Sequence, residues 1–161
     1  MRTNTLRIRR YVDADHEQMW NLHNLALDDV GAHAGNGPWD DDLHKIDEVY
    51  LRGGEFLLGF LDRQIVAMGA LKKTSDDRAE IKRIRVHPEH QRQGFGQSIL
   101  LALENHAAEL CFSVVHLDTT IQQPAAQALY VQNGYTELCR KQLGAFECIF
   151  FEKQLGIIES E

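Results

Sequence analysis

The segment Gln91-Arg92-Gln93-Gly94-Phe95-Gly96 constrains this chain more than any other, because it joins an apolar strand to an amphipathic helix. The strand runs from Ala79 to Val86 and carries Ile81, Ile84 and Val86; the step of three from 81 to 84 breaks the two-residue alternation and predicts a bulge. The helix runs from Gly94 to Leu110, with Phe95, Ile99, Leu103 and Leu110 on one face. At such a helix start the first backbone amides have no internal partner and carry partial positive charge, so the turn suits an anion. Gly94 and Gly96 leave the backbone open to close approach and permit the angles that a phosphate-cradling turn needs, which points to a pyrophosphate. Spacing alone fits a plain strand-to-helix turn equally well. No Gly-Lys-Ser/Thr follows and the third glycine of a dinucleotide turn is missing, so the P-loop and Rossmann patterns do not fit.

The rest of the chain alternates strand and helix signals. Leu6, Ile8 and Tyr11 predict a first strand, and Met19, Leu22, Leu25 and Ala26 a helix from about Asp13 or Asp15 to near Val30-Gly31. Residues 31–42 read as loop before a second helix around Asp42 to Leu51. The polar pair Asp62-Arg63 breaks two apolar runs into a hairpin of Phe56–Leu61 and Ile65–Leu71, both largely buried. A strand at Val114–Leu117 precedes a helix opened by Pro124 and stopped by Asn133-Gly134. Two last strands lie near Tyr135–Leu138 and Phe146–Phe151, giving a mixed α/β order.

At 161 residues, without repeats or a Pro/Gly/Ser linker, the chain fits one domain able to bury a core. Acidic residues number 24 against 17 basic ones, a formal charge of -7 that repels nucleic acid and anionic membrane surfaces. Only the local runs Arg7, Arg9, Arg10 and Lys82-Arg83-Arg85 support a nucleic-acid binder. Cys111, Cys139 and Cys148 are odd in number and form no CxxC pair, so neither a disulfide framework nor a zinc knuckle is signalled. No apolar run approaches the roughly 20 residues that span a bilayer, and the polar start lacks the core of a signal peptide. A soluble protein of the reducing cytoplasm is expected.

Two separated motifs resemble one family. Val86-His87-Pro88 followed by Gln91 to Gly96 is similar to the Gln/Arg-x-x-Gly-x-Gly/Ala signature of the GNAT superfamily of acetyl-coenzyme A-dependent N-acetyltransferases. Downstream, Pro124-Ala125-Ala126-Gln127-Ala128-Leu129-Tyr130 and Asn133-Gly134-Tyr135 resemble that family's helix ending in Leu-Tyr and its following strand. Gln91 is the less basic signature option, and Gln123 stands where relatives often carry asparagine. The resemblance covers residues 5–153, leaving a short tail at 154–161, and implies a GNAT fold: α/β (α+β), a mixed, mostly antiparallel sheet of six to seven strands flanked by about four helices. It implies a sheet splayed between the strands ending at Val86 and near Val114–Leu117, with acetyl-CoA as cosubstrate and no metal. Backbone groups of Ile84, Arg85 and Val86 would bond the pantetheine arm. Gln91, Arg92, Gln93, Gly94, Phe95, Gly96 and Gln97 would form the pyrophosphate turn.

The implied reaction is direct attack of an amine on the thioester, which requires proton removal from an ammonium and protonation of the leaving thiolate. Tyr130 matches the family tyrosine that meets the cofactor sulfur and is the candidate acid; packing of its helix on the sheet is the competing role. Glu80 stands where some relatives carry a base, with Asp118 as a weaker competitor and an Arg83 ion pair as the plainer alternative. His87 and His90 lack clustered companions, so no metal is expected, and His33 and His116 could lie near the acceptor pocket without an assigned role. Asp28, Asp29, Trp39, Asp40, Asp41 and Asp42 could draw a cationic amine, though such runs are more often solvated caps. The expected partner is a small-molecule or peptide amine. Exposed strand edges near the C-terminus could pair two copies. A non-catalytic acyl-coenzyme A sensor would keep the turn and dispense with acid and base.

Overall fold

Asp62 adopts a left-handed φ of 53° and turns the chain between β2 (Glu55–Leu61) and β3 (Gln64–Lys73), a conformation that short polar residues tolerate. That hairpin anchors the computed structural model, which describes residues 5–31 and 35–156. The strands β1 (Arg7–Arg10), β4 (Arg78–Val86), β5 (Val114–Thr120), β6 (Thr136–Leu143) and β7 (Phe146–Gln154) complete one seven-stranded sheet in the order β1-β2-β3-β4-β5-β7-β6. Every neighbouring pair is antiparallel except β4 and β5.

Helices cover both faces, so each face has its own apolar layer. On one side α3 (Phe95–Glu109) and α4 (Pro124–Gln132) pack Ile99, Leu100, Leu103 and Tyr130 against Ile81, Val115 and Phe151. On the other, α1 (His16–Asp29) brings Met19 and Leu22 onto Phe56, Leu58 and Met68. Met19, Phe56 and Leu58 are wholly buried, each contributing about 1.5–3 kcal/mol. The expected Leu25 is instead 45% exposed, and the buried stripe of α1 takes His23 in its place.

The second helix departs from expectation. Around 42–51 the chain forms a 3-10 segment, Pro38–His44, then a single turn α2 (Ile46–Val49), separated by Lys45 at φ −137°. Leu43, Ile46 and Tyr50 still reach the core. The Asp42 carboxylate, however, is taken by Arg83 and the Tyr50 hydroxyl rather than by backbone amides, so it cannot cap a longer helix.

The bulge in β4 is present. Met68 pairs with Arg85 and Ala70 with Lys82, so Gly69 alone opposes Arg83 and Ile84, and Arg83 takes a φ of 62°. Gly69 is required here, because a Cβ would lie 2.5 Å from Ile99 Cγ2 and 2.9 Å from Leu103 Cδ1. The extra residue leaves Ile84 and Val86 against the α3 side, while Arg83 reaches the Pro38–His44 segment. Two of the three arginines at the start of the chain are neutralised, Arg9 by a two-bond ion pair with Asp15 and Arg10 by another with Glu55, while Arg7 lies over the Phe60 ring.

Candidate active site

β4 and β5 run parallel for only three rungs, Arg78↔Val114, Ala79↔Val115 and Glu80↔His116. Beyond them β4 stays with β3 as far as Val86, and β5 stays with β7 as far as Thr120, so the sheet opens into a fork. Its facing edges carry backbone groups without ladder partners, which must find water or a ligand rich in amides. The implied splay is therefore present.

A cleft of about 540 Å³ lies at the open end of the fork. Its walls are the end of α1 at Ala26 and Val30, β4 at Ile84, Arg85 and Val86, the turn before α3, and the start of α4. Of the turn residues expected there, Gln91, Arg92, Gly94, Phe95, Gly96 and Gln97 line the cleft, and Gln93 does not. Arg92 and Gly94 have φ of 63° and 79°, a left-handed alternation that turns successive amides toward one concavity. Gly94 is the N-cap of α3: its carbonyl accepts the Ser98 amide at 3.0 Å, leaving the amides of residues 95–97 free of helical partners. Gly96 is not required by backbone angle, and a Cβ there would make only ordinary contact with Leu129 and Val86 at 3.5 Å, so its lack of a side chain serves chiefly to keep the turn open toward the cleft.

α4 contributes a wall that the turn motif alone does not reveal. Pro124 at its first turn brings Ala125, Ala126 and Leu129 to the cleft, small or apolar side chains that admit a slender ligand. Gln123 also lines it and donates to Thr120 Oγ1 at 3.3 Å. Ala26 and Val30 carried no sequence signal beyond helical periodicity.

Tyr130 is buried on α4, its ring 5.7 Å from Tyr135 and 5.9 Å from Phe151. The neighbouring Tyr135 donates its hydroxyl to Glu104 at 2.9 Å, and burial first, then Glu104, pushes that phenol far up. The Tyr130 hydroxyl has no hydrogen bond among the described residues. Burial raises its pKa to about 12, opposed by the charge of Arg85, so at neutral pH it is a protonated donor.

Glu80 occupies the last rung of the fork opposite His116, at its closed end. The Arg83 pairing considered for it is not formed, because Arg83 donates Nε to Asp42 Oδ2 at 3.0 Å and Nη2 to Oδ1 at 2.6 Å. His116 hydrogen-bonds Thr74 Oγ1 at 2.9 Å, and burial holds its pKa below the usual value. Asp118, two residues along β5, is exposed at the fork, yet surrounding protein raises its carboxyl, with Lys82 opposing. His33 lies outside the described residues.

Of the acidic residues near Trp39, Asp40 and Asp42 are engaged by other side chains, while Asp28, Asp29 and Asp41 face solvent. Asp40 is 3% exposed and accepts from His23 Nε2 at 3.0 Å and Asn36 Nδ2 at 3.2 Å, while Arg83 Nη1 lies 3.7 Å from it. Burial, with Arg85 and Arg83 adding repulsion, holds the His23 pKa well below the ordinary value. His87 and His90 are a ring pair 5.4 Å apart, and among the described residues no group of three or more metal-type side chains assembles.

Residues 16–135 match the sequence profile described as "Acetyltransferase (GNAT) family". The chain belongs to the GNAT acetyltransferase family. Its fold is shared with an acetyltransferase of that family from Staphylococcus aureus Mu50, at a TM-score of 0.86 and 20% identity, covering 94% of this chain and 100% of that one. A putative acetyltransferase, yncA, from Salmonella typhimurium, solved with its cofactor acetyl-CoA, superposes at 0.75 with 20% identity and 98% of each chain covered. The ribosomal-protein-S18-alanine N-acetyltransferase of Escherichia coli superposes at 0.77 with 16% identity, over 98% of this chain and 99% of that one. No curated protein matches this sequence.

Proposed function

We propose that this chain is a single-domain N-acetyltransferase that moves an acetyl group from acetyl-CoA directly onto a primary amine of a small molecule or peptide. The observation that carries this is the coincidence of the fork with the left-handed turn at its mouth: an unpaired strand edge for an amide-bearing arm, and converging free amides for its pyrophosphate. The Salmonella relative holds acetyl-CoA, and the Escherichia coli relative is named for an alanine amine on a protein.

In this reading the turn residues from Gln91 to Gln97 take the phosphates and the backbone of Ile84 to Val86 bonds the pantetheine arm. The amine nitrogen attacks the thioester carbonyl and the carbon–sulfur bond breaks. One ammonium proton leaves for solvent through Glu80 or Asp118 before attack, Tyr130 gives its proton to the departing sulfur, and the second proton lost by the nitrogen as the amide forms restores the Tyr130 phenol. The raised carboxyl of Asp118 makes it a stronger competitor for the base than its sequence position suggested. No helix among the described residues is long and apolar enough to cross a membrane, and Cys111, Cys139 and Cys148 are free thiols, which suits a reducing compartment.

Thiol release from acetyl-CoA, followed across a panel of amines, tests the proposal. Release that requires an amine and yields its N-acetyl product is expected. Cofactor binding with no release for any amine would instead identify a sensor.

A further inference from the structure

Arg83 and Arg85 stand two residues apart on β4 and are treated in opposite ways. Arg83 is saturated by both oxygens of Asp42, by the Trp39 carbonyl at 2.7 Å and by the field of Asp40. Arg85 donates only Nη1, to the carbonyl of Ile84 at 2.9 Å. Its Nε is buried with no partner, and no carboxylate forms an ion pair with it among the described residues. Neither nearby acid is left to neutralise it, since Asp40 already serves His23 and Asn36, and Asp42 serves Arg83 and Tyr50. Burial and the repulsion of Arg83 lower the Arg85 pKa to about 10, so the group stays cationic at neutral pH.

A half-buried guanidinium whose Nε is sealed from water with its N–H unmet is costly unless an anion completes it. Arg85 lines the cleft, so the completing anion can come from a ligand. The phosphates have their own cradle in the turn, which lies beyond Val86, and Val86 packs toward Gly96 while Arg85 pairs with Met68 beneath α1. Arg85 instead shares the cleft with Ala126 and Leu129 of α4, the helix that carries Tyr130, and its charge opposes the rise of that phenol. An anion held there belongs to a molecule small enough to carry it next to the reacting nitrogen. A guanidinium offering Nε and a terminal nitrogen matches the two oxygens of a carboxylate.

Building on the acetyl-transfer reading above, we infer that the acceptor is an amine that also bears a carboxylate, an amino acid in the broad sense, held through Arg85. Polyamines and other purely cationic acceptors are the class disfavoured, because Asp40 and Asp42, the two acidic residues of that segment packed beside β4, are already engaged by His23, Arg83 and Tyr50.

The test is a calorimetric titration of the CoA-loaded protein with L-amino acids, each beside its own carboxamide, in wild type and in Arg85→Gln. Thermal unfolding of the variant is measured first and reports whether the fold is intact, and its CoA affinity is then measured separately. At least one acid is expected to bind about tenfold or more tighter than its carboxamide, with Arg85→Gln weakening that acid about 100-fold and removing the preference. Arg85→Lys should restore part of it. Equal binding of acids and carboxamides in wild type overturns the inference, as does a preference that survives Arg85→Gln. A loss confined to CoA affinity assigns Arg85 to the cofactor, and Arg85-dependent selection of succinyl-CoA over acetyl-CoA moves the carboxylate to the donor; either result overturns it. Thiol release separates the two readings: selective binding without release defeats the transfer proposal alone, whereas release indifferent to the carboxylate defeats only the acceptor assignment.

Discussion

The two walls of the cleft are built from different material. The wall formed by the turn before α3 and the start of α4 is made of backbone amides, glycines and alanines that lie close together in sequence. Behind the other wall, beneath α1, lie charged side chains joined over long separations, Arg83 to Asp42 being 41 residues apart, and of these neighbours Arg85 is the one that reaches the cleft. Backbone surfaces recognise what all cosubstrates of one kind share, whereas side-chain wiring can be retuned for each acceptor. On the proposed reading the first wall serves the cosubstrate and the second the acceptor.

The contrast yields separable effects. The largest is expected at the candidate acid: Tyr130→Phe should lower kcat about 100-fold or more while leaving acetyl-CoA affinity little changed, as single-turnover kinetics beside calorimetry would show. Unaltered turnover would remove the phenol from the chemistry and leave it as packing for α4.

Next in size, Arg83→Met strands the Asp42 carboxylate and should cost about 3 kcal/mol of stability in urea unfolding, with cofactor affinity retained. A loss of cofactor affinity in a folded variant would show that the walls are not independent. Gly94→Val should do the reverse. A Cβ at Gly94 meets nothing within 4 Å, so the penalty is the left-handed φ; the free turn of the variant is expected to relax away from it, and regaining it on binding, at about 1–2 kcal/mol, appears as roughly tenfold weaker acetyl-CoA binding.

The smallest effect concerns pH. The folded His23 binds its proton less readily than the unfolded chain does, because burial depresses it. As pH falls below about 6.5 the unfolded state therefore gains protons first, and stability drops by up to about 1.4 kcal/mol per pH unit until the folded value is reached. Asp42, whose folded pKa is also lowered, adds its loss only in the acid range below the ordinary carboxylate value. His23→Gln should flatten the slope between pH 6.5 and 5 in thermal unfolding; an unchanged slope would place the responsible proton elsewhere.

What could be read in advance follows the same division. The break at Asp62-Arg63, the 81-to-84 step and the glycine spacing are local signals, and the hairpin, the bulge and the turn appear where those signals lie. The Asp40 and Asp42 carboxylates resembled a solvated run, because nothing in the local sequence reveals an arginine 41 residues on whose bulged backbone delivers it to them. The same partner also removed the expected helix at 42–51, by taking the carboxylate that would have capped it. Arg85 was legible as a backbone position of the fork but not as an unsatisfied charge, since that depends on which acids its neighbours have already engaged.

Titration of the purified protein with acetyl-CoA, in wild type, Gly94→Val and Arg83→Met, tests the central claim most directly. Saturable binding at one site per chain, weakened by the change at 94 and spared by the change at 83, is the expected result. Absence of binding, or binding indifferent to Gly94, would contradict the assignment of the fork and its turn as the acetyl-CoA site.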